Sequence, residues 1–184
     1  MTRIDAIFAE AIEAHRATLR QSAEAMREAA DLMRGALEAG RKILTFGNGG
    51  SAADAQHVAA EFVNRFVRER KALAAIALTT DASVITSIAN DSEYDRVFSR
   101  QIEALGRRGD IALGISTSGK SESVLAAFRQ ARSQGLTTIA LVGPDRSSVQ
   151  GQVDLCITVA ASSTPRIQEV HRTILHVLCE LVEA

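Results

Sequence analysis

The sequence predicts an α/β protein: one domain in three αβα layers, built on a five-stranded parallel sheet and preceded by a helical arm. Three observations carry this. Five short β-rich runs, Lys42 to Phe46, Ala74 to Thr79, Asp110 to Ser116, Thr137 to Val142 and Asp154 to Val159, alternate with helical segments. Such alternation implies parallel βαβ units and a sheet covered on both faces. The first and third runs are followed by Gly- and Ser-rich loops, in the position where open α/β sheets bind ligands, beyond the carboxyl ends of their strands. Finally, the stretch from Ile4 to Gly40 contains no Pro and repeats Ile4, Ile7, Phe8, Ile12, Leu19, Met26, Met33 and Leu37 with a helical period.

Taken in order, the arm is one long helix or two. Gln21-Ser22 is the expected break, because Ser is a good N-cap, and Gly40 is the expected stop. An amphipathic arm of this length needs a partner surface, so residues 1–40 are read as packing in an oligomer and 41–184 as the α/β core of a single domain, 1–184. Thr164 followed by Pro165 starts the last helix with a good N-cap and a favoured first residue, and that helix runs to the C-terminus.

Composition narrows the function classes. The 184 residues are 46% hydrophobic and 23% charged with a net charge of -1, the balance of one globular domain large enough to need no disulfide or metal staple. With 21 basic against 22 acidic residues, no direct nucleic-acid binding is expected. The longest stretch free of Asp, Glu, Lys and Arg is Ser133 to Pro144, twelve residues, short of the ~20 that span a bilayer, so no membrane association is expected. Asp5, Glu10 and Glu13 interrupt any signal-peptide core, which points to the cytoplasm. Cys156 and Cys179 are expected to be free, buried thiols.

The loop Gly47-Asn48-Gly49-Gly50-Ser51-Ala52 satisfies the dinucleotide pattern G-x-G-x-x-G/A. The acid that should follow about 20 residues later is represented only by Asp81, 34 positions after Gly47, and a dinucleotide site has no use for the His57 and Glu61 that follow. The loop Gly114 to Ser121 matches the nucleotide P-loop G-x-x-x-x-G-K-[ST]. A P-loop also needs a metal-holding acid at the end of a neighbouring strand, whereas the fourth run ends Leu141-Val142-Gly143-Pro144 and Asp145 arrives only after the Pro turn. A third reading uses hydroxyls: Ser116, Thr117, Ser118 and Ser121, with the amides of the next helix, can hold one phosphate monoester without a lysine.

His57 and Glu61 are four residues apart and share a helix face about 6 Å apart along the axis, which suits metal ligands or an acid/base pair. Gln168 and His176 are eight apart on the last helix, about 12 Å of rise and roughly 80° of rotation, so one helix does not easily bring both to one atom. His15 and His171 are read as structural and Glu180 as a surface acid.

Several blocks together resemble one family. Gly47-Asn48-Gly49-Gly50-Ser51-Ala52-Ala53-Asp54-Ala55-Gln56-His57, Ala60-Glu61, Ile76-Ala77-Leu78-Thr79-Thr80-Asp81, Asn90-Asp91, Ile115-Ser116-Thr117-Ser118-Gly119 and Arg166-Ile167-Gln168-Glu169 are similar, in order and spacing, to the sugar isomerase (SIS) domain family and within it to the bacterial phosphoheptose isomerases. The resemblance implies a flavodoxin-like SIS sheet and a homotetramer with active sites at subunit interfaces. It implies one zinc ion per subunit on His57, Glu61, Gln168 and His176. It also implies phosphate binding by Ser116, Thr117, Ser118 and Ser121, and sugar contacts from Asn48, Gly49, Gly50, Ser51, Asn90 and Asp91, with Glu61 and Gln168 also touching the substrate. Interface assembly would let Gln168 and His176 serve one ion from different chains. Lys120 stands where the family loop usually has Asn, and Gly143 to Ser148 reads GPDRSS where the family often has GRDGG.

The implied reaction converts sedoheptulose 7-phosphate to D-glycero-D-manno-heptose 7-phosphate for envelope polysaccharides through an enediol. Glu61 is the candidate base, a carboxylate that partial burial would lift toward neutral pH, and His176 the group that protonates and deprotonates the oxygens. A relative in the same family is instead an adaptor that binds the bacterial replication initiator and stimulates initiation, and Asn64-Arg65-Phe66 through Arg68-Glu69-Arg70 resembles it too. Gly50 and Asp54 lean toward the isomerase.

Overall fold

The computed structural model describes residues 2–184. The arm is a single helix, α1 (Arg3–Glu38), followed by β1 (Ile43–Gly47), α2 (Gly50–Val63), β2 (Ala75–Ala77), α3 (Ala82–Asp91), a 3-10 turn over Tyr94–Arg96 and α4 (Ser99–Leu105). The chain then runs through β3 (Ile111–Ser116), α5 (Glu122–Ser133), β4 (Thr137–Val142), β5 (Leu155–Thr158) and α6 (Thr164–Glu183). All five strands pair in parallel in the order β2-β1-β3-β4-β5, so each expected run forms a strand: β4 with the expected bounds, β1 one residue further on, and β2, β3 and β5 trimmed.

Strand side chains alternate between two faces, and each face has its own core. Ile43, Ile111, Leu113, Ile115, Ile139, Leu141 and Ile157 pack with α1, α2 and α6 through Met33, Val58, Phe62, Val170, Ile174 and Leu178. Leu44, Phe46, Ala112, Ala140 and Val142 pack on the other face with Phe98, Ile102, Val124 and Phe128 of α4, α5 and the segments around them. Gly114 lies under the Phe46–Phe128 pair, whose ring centroids are 5.5 Å apart, and a Cβ there would come within 2.4 Å of Phe128.

Three local expectations are corrected. α1 does not break at Gln21-Ser22: Ser22 Oγ donates to the Thr158 carbonyl at 2.7 Å, Gln21 Nε2 donates to Thr158 Oγ1 at 2.6 Å, and Thr18 Oγ1 accepts from the Ala160 amide at 3.0 Å. The serine that could have capped a second helix instead anchors one helix to the end of β5. The cap of α6 is Ser163, one residue earlier than expected, which leaves Thr164 and Pro165 inside the first turn where a proline costs no hydrogen bond. Both cysteines are free, but only Cys179 is buried, Cys156 being half-exposed. Gly40 does end α1: at φ +72° it lets its own amide bond Leu37 O and that of Arg41 bond Ala36 O, a Schellman closure.

The arm packs on α6 and β5 along most of its length, Arg166 Nη1 donating to Ile7 O at 3.0 Å, while Ile4, Phe8, Ile12 and Leu19 stay 67, 65, 49 and 62% exposed. Among the described residues no helix is long and apolar enough to cross a membrane.

Candidate active site

α2 and α6 lie side by side and run in the same direction, meeting once per turn. Gln168 packs over Gly50 so closely that a Cβ at Gly50 would stand 1.8 Å from its Nε2. One turn on, Arg172 Nη2 donates to Asp54 Oδ1 at 2.7 Å, with Asp54 fully buried. Another turn on, His176 Nε2 and His57 Nε2 are 2.7 Å apart. Steps of four along α6 thus match steps of three to four along α2, the period of a helix face.

His57 stands at the centre of this cluster. Its Nε2 meets His176, and its Nδ1 lies 3.7 Å from Glu61 Oε1 one turn below. Two imidazole nitrogens at that distance share a single proton, one ring donating and the other accepting. Burial, and then the neighbouring His57, push the pKa of His176 below its ordinary value against the opposing pull of Glu61, so its ring is neutral at pH 7 and can give or take a proton. Phe66 lies against the other side of His176, with ring centroids 5.1 Å apart.

Two imidazoles and a carboxylate are a donor set that suits zinc. In this chain they are disposed around the His57 ring rather than around one point. Among the described residues, no group of three or more His, Cys, Asp or Glu is arranged as a metal cage. Gln168 sits two turns up α6, beside Gly50, and does not reach His176 within one chain.

The second half of the site is the loop from β3 to α5. Ser116 Oγ accepts from the Gly119 amide and Ser118 Oγ from the Lys120 amide, both at 3.2 Å. Each hydroxyl proton is thereby left to donate to an anion. Ser121 is the N-cap of α5, but its side chain makes no capping bond. The first-turn amides of a twelve-residue helix therefore face the loop, an anion-binding arrangement. Asn48, from the loop after β1, braces this loop: its Nδ2 donates to Ser121 Oγ at 2.7 Å and to Ser123 Oγ at 2.9 Å.

Lys120 turns away from this loop. Its Nζ pairs with Asp145 Oδ2 at 2.8 Å, and Asp145 holds the lysine's pKa above the ordinary value. A lysine committed to the β4–β5 loop is not in the role a nucleotide P-loop requires. Gly49 takes φ +56° at the N-cap of α2, a conformation that favours glycine, and Ser51 is buried behind it. Asn90 and Asp91 are joined by a 2.8 Å bond at the exposed end of α3, and within one chain they are not gathered with the His57 cluster. Four participants escaped the sequence reading: Ser123, Arg172, Phe66 and Tyr94, whose hydroxyl donates to Asn48 Oδ1 at 2.8 Å. The four-residue spacing of Gln168, Arg172 and His176 was the one available signal, and it points to Arg172 alone.

His15 is structural, its ring bridging Ala11 O and Thr173 Oγ1 at 2.7 and 2.9 Å. His171 is fully buried, and neither of its ring nitrogens makes a hydrogen bond of regular geometry.

Comparison with known proteins gives a consistent set of relatives. The SIS domain model matches residues 7–143. A phosphoheptose isomerase of Roseiflexus sp. (strain RS-1) is 53% identical over 180 residues, covering 98% of this chain and 91% of that protein. The solved phosphoheptose isomerase from Neisseria gonorrhoeae superposes with a TM-score of 0.92 at 43% identity, over 98% of this chain and 97% of its own. One from Francisella tularensis does so with a TM-score of 0.93 at 37% identity, over 99% and 98%.

Proposed function

The chain belongs to the SIS domain family and, within it, to the phosphoheptose isomerases, and on that premise we propose that it converts sedoheptulose 7-phosphate to D-glycero-D-manno-heptose 7-phosphate. The observation that carries this reading is that one chain presents both the His57–Glu61–His176 cluster and a hydroxyl-rich anion loop braced by Asn48. The relatives favour the isomerase over the initiator-binding adaptor.

The phosphate is held at the far end of the sugar by the hydroxyls of Ser116, Thr117, Ser118 and Ser121 and the first amides of α5. Asn48, Gly49, Gly50, Ser51, Asn90, Asp91 and Gln168 serve the sugar. Glu61 takes the proton from C1 and returns it to C2. His176 gives a proton to the C2 oxygen and removes one from the C1 oxygen, so the carbonyl moves with no net change of atoms. A neutral His176, paired with His57, can do both.

In the same reading His57, Glu61, Gln168 and His176 would hold one zinc ion per subunit, which would polarise the carbonyl and offset negative charge on the enediolate. A homotetramer follows, in which the apolar stripe of α1 is covered and Asn90 and Asp91 come to the site from another copy. A cytoplasmic location belongs to this reading.

The test is a coupled assay with sedoheptulose 7-phosphate on the wild type and on Glu61→Gln, which keeps size and hydrogen bonding but removes the base. Turnover should fall roughly 10² to 10⁴-fold while sugar-phosphate binding persists. A wild type without turnover that retains an initiator protein in a pull-down would overturn the reading in favour of the adaptor, and near-normal turnover in Glu61→Gln would remove Glu61 from the mechanism.

A further inference from the structure

The segment 64–74 connects α2 to β2 and carries no regular secondary structure, yet it is fastened at both ends of its turn by two residues with no assigned role. The Glu183 carboxylate, whose side chain is 1% exposed, accepts the amides of Phe66 at 2.7 Å, Val67 at 2.9 Å and Arg68 at 3.0 Å. It also accepts Arg70 Nε at 2.8 Å. Arg70 in turn donates through Nη2 to Glu61 O at 2.8 Å and through Nη1 to Phe62 O at 2.8 Å. These are carbonyls of the last turn of α2, which otherwise lack partners within the helix. Charge-assisted bonds are the stronger class, and here they join the end of α6 to the end of α2.

What this clasp holds in place is Phe66. Its ring lies on one side of His176, with centroids 5.1 Å apart and planes tilted by 38°, while His57 lies on another, with centroids 5.0 Å apart and planes at 58°. The imidazole is therefore fixed between two rings, one set by helix α2 and the other by a loop. Apart from the clasp, the loop is closed at its base by the Leu73 amide on Phe62 O, and the Phe66 ring packs against the core.

We propose that Phe66, held by Glu183 and Arg70, is a positioning residue that sets the orientation of the His176 ring for proton transfer. The proposal rests on the isomerase reading for its kinetic half but not for its structural half. It does not depend on the titration of any group. A misplacement on the order of 1 Å near a reacting group can cost about 10²-fold in rate, so the loss expected on removing the ring is large enough to measure.

The experiment compares Phe66→Leu, Phe66→Tyr and Glu183→Gln with the wild type. Two readouts are taken: kcat and KM for sedoheptulose 7-phosphate, and the imidazole C–H resonances of ¹³C-histidine-labelled protein without substrate. The chain has four histidines, so the His176 signals can be assigned from a His176→Gln spectrum. Phe66→Leu should lower kcat about 10-fold or more with KM changed less than about threefold. It should also remove the ring-current shift of His176. Phe66→Tyr, which keeps the aromatic face, should restore both, and Glu183→Gln should move the same resonances part of the way. Unmoved His176 resonances in Phe66→Leu would overturn the positioning role whatever the activity. Moved resonances with unchanged kcat would overturn its relevance to the reaction. If the wild type shows no turnover, the isomerase reading fails while the resonances still decide the placement of the ring. Should Glu183→Gln fail to fold, the two Phe66 variants decide alone.

Discussion

Lys120 separates two ways of holding phosphate. Its ammonium pairs with Asp145, and both side chains are largely open to solvent, at 61 and 48% exposed; an ion pair of that kind contributes little. Lys120→Asn should therefore leave heptose-phosphate turnover within a fewfold and create or remove no nucleotide affinity. Ser121→Ala, which removes one of the two acceptors of Asn48 as well as a phosphate contact, should raise KM more. Saturable ATP binding lost only in the lysine variant would reverse this assignment. At this scale the sequence was legible where chemistry repeats at a helical spacing, as for His57 and Glu61, whereas His176, 119 positions from His57, was joined to them only through the family resemblance. It was illegible where one side chain matters only through a distant partner. Asp54 and Arg172 are separated by 118 positions and Phe66 and Glu183 by 117, and no local pattern marks such pairs. Tyr94 escaped for another reason: a half-exposed lone tyrosine looks like any surface aromatic.

The elements themselves were readable because central parallel strands are buried on both faces, so β1, β3 and β4 show as near-continuous apolar runs. β2 and β5 lie at the two edges and came out shorter than their runs of β-rich sequence. The misplaced break in α1 shows a local preference losing to tertiary docking: a serine hydroxyl satisfies the Thr158 carbonyl, and no capping donor is needed. Ser22→Ala should destabilise the fold by about 1 kcal/mol by leaving that buried carbonyl without its donor. Denaturant unfolding checks this, and an unchanged midpoint would mean the hydroxyl contributes nothing to docking the arm.

For the whole molecule, two expectations follow from what is exposed and what is buried. Ile4, Phe8 and Ile12 recur every four residues on one face of α1, and charge placed there should split the proposed tetramer. Phe8→Glu measured by light scattering should give a smaller species than the wild type, and an unchanged mass would remove this stripe from the subunit contact. Acid stability depends on His171, whose pKa is pushed down to about 4, first by burial, with the Val142 carbonyl and the Asp54 carboxylate of α2 opposing. The sign follows directly: between pH 6.5 and 4 the unfolded chain binds a proton that the folded chain refuses, so stability falls as pH drops through that window, by up to about 3 kcal/mol. Above pH 6.5 the effect vanishes. His171→Leu should flatten the thermal midpoint against pH between 6.5 and 4, and an equally steep profile in that variant would assign the acid sensitivity elsewhere. The side-by-side run of α2 and α6 also decides where this molecule can change length. Gly50, Asp54 and His57 answer Gln168, Arg172 and His176 turn by turn, so one residue inserted into either helix rotates everything beyond it by about 100° and carries half the partners out of reach. Length variation is open to the loops and to the bend over 144–152, but between the two ends of this helical pair the residue count is a fixed quantity.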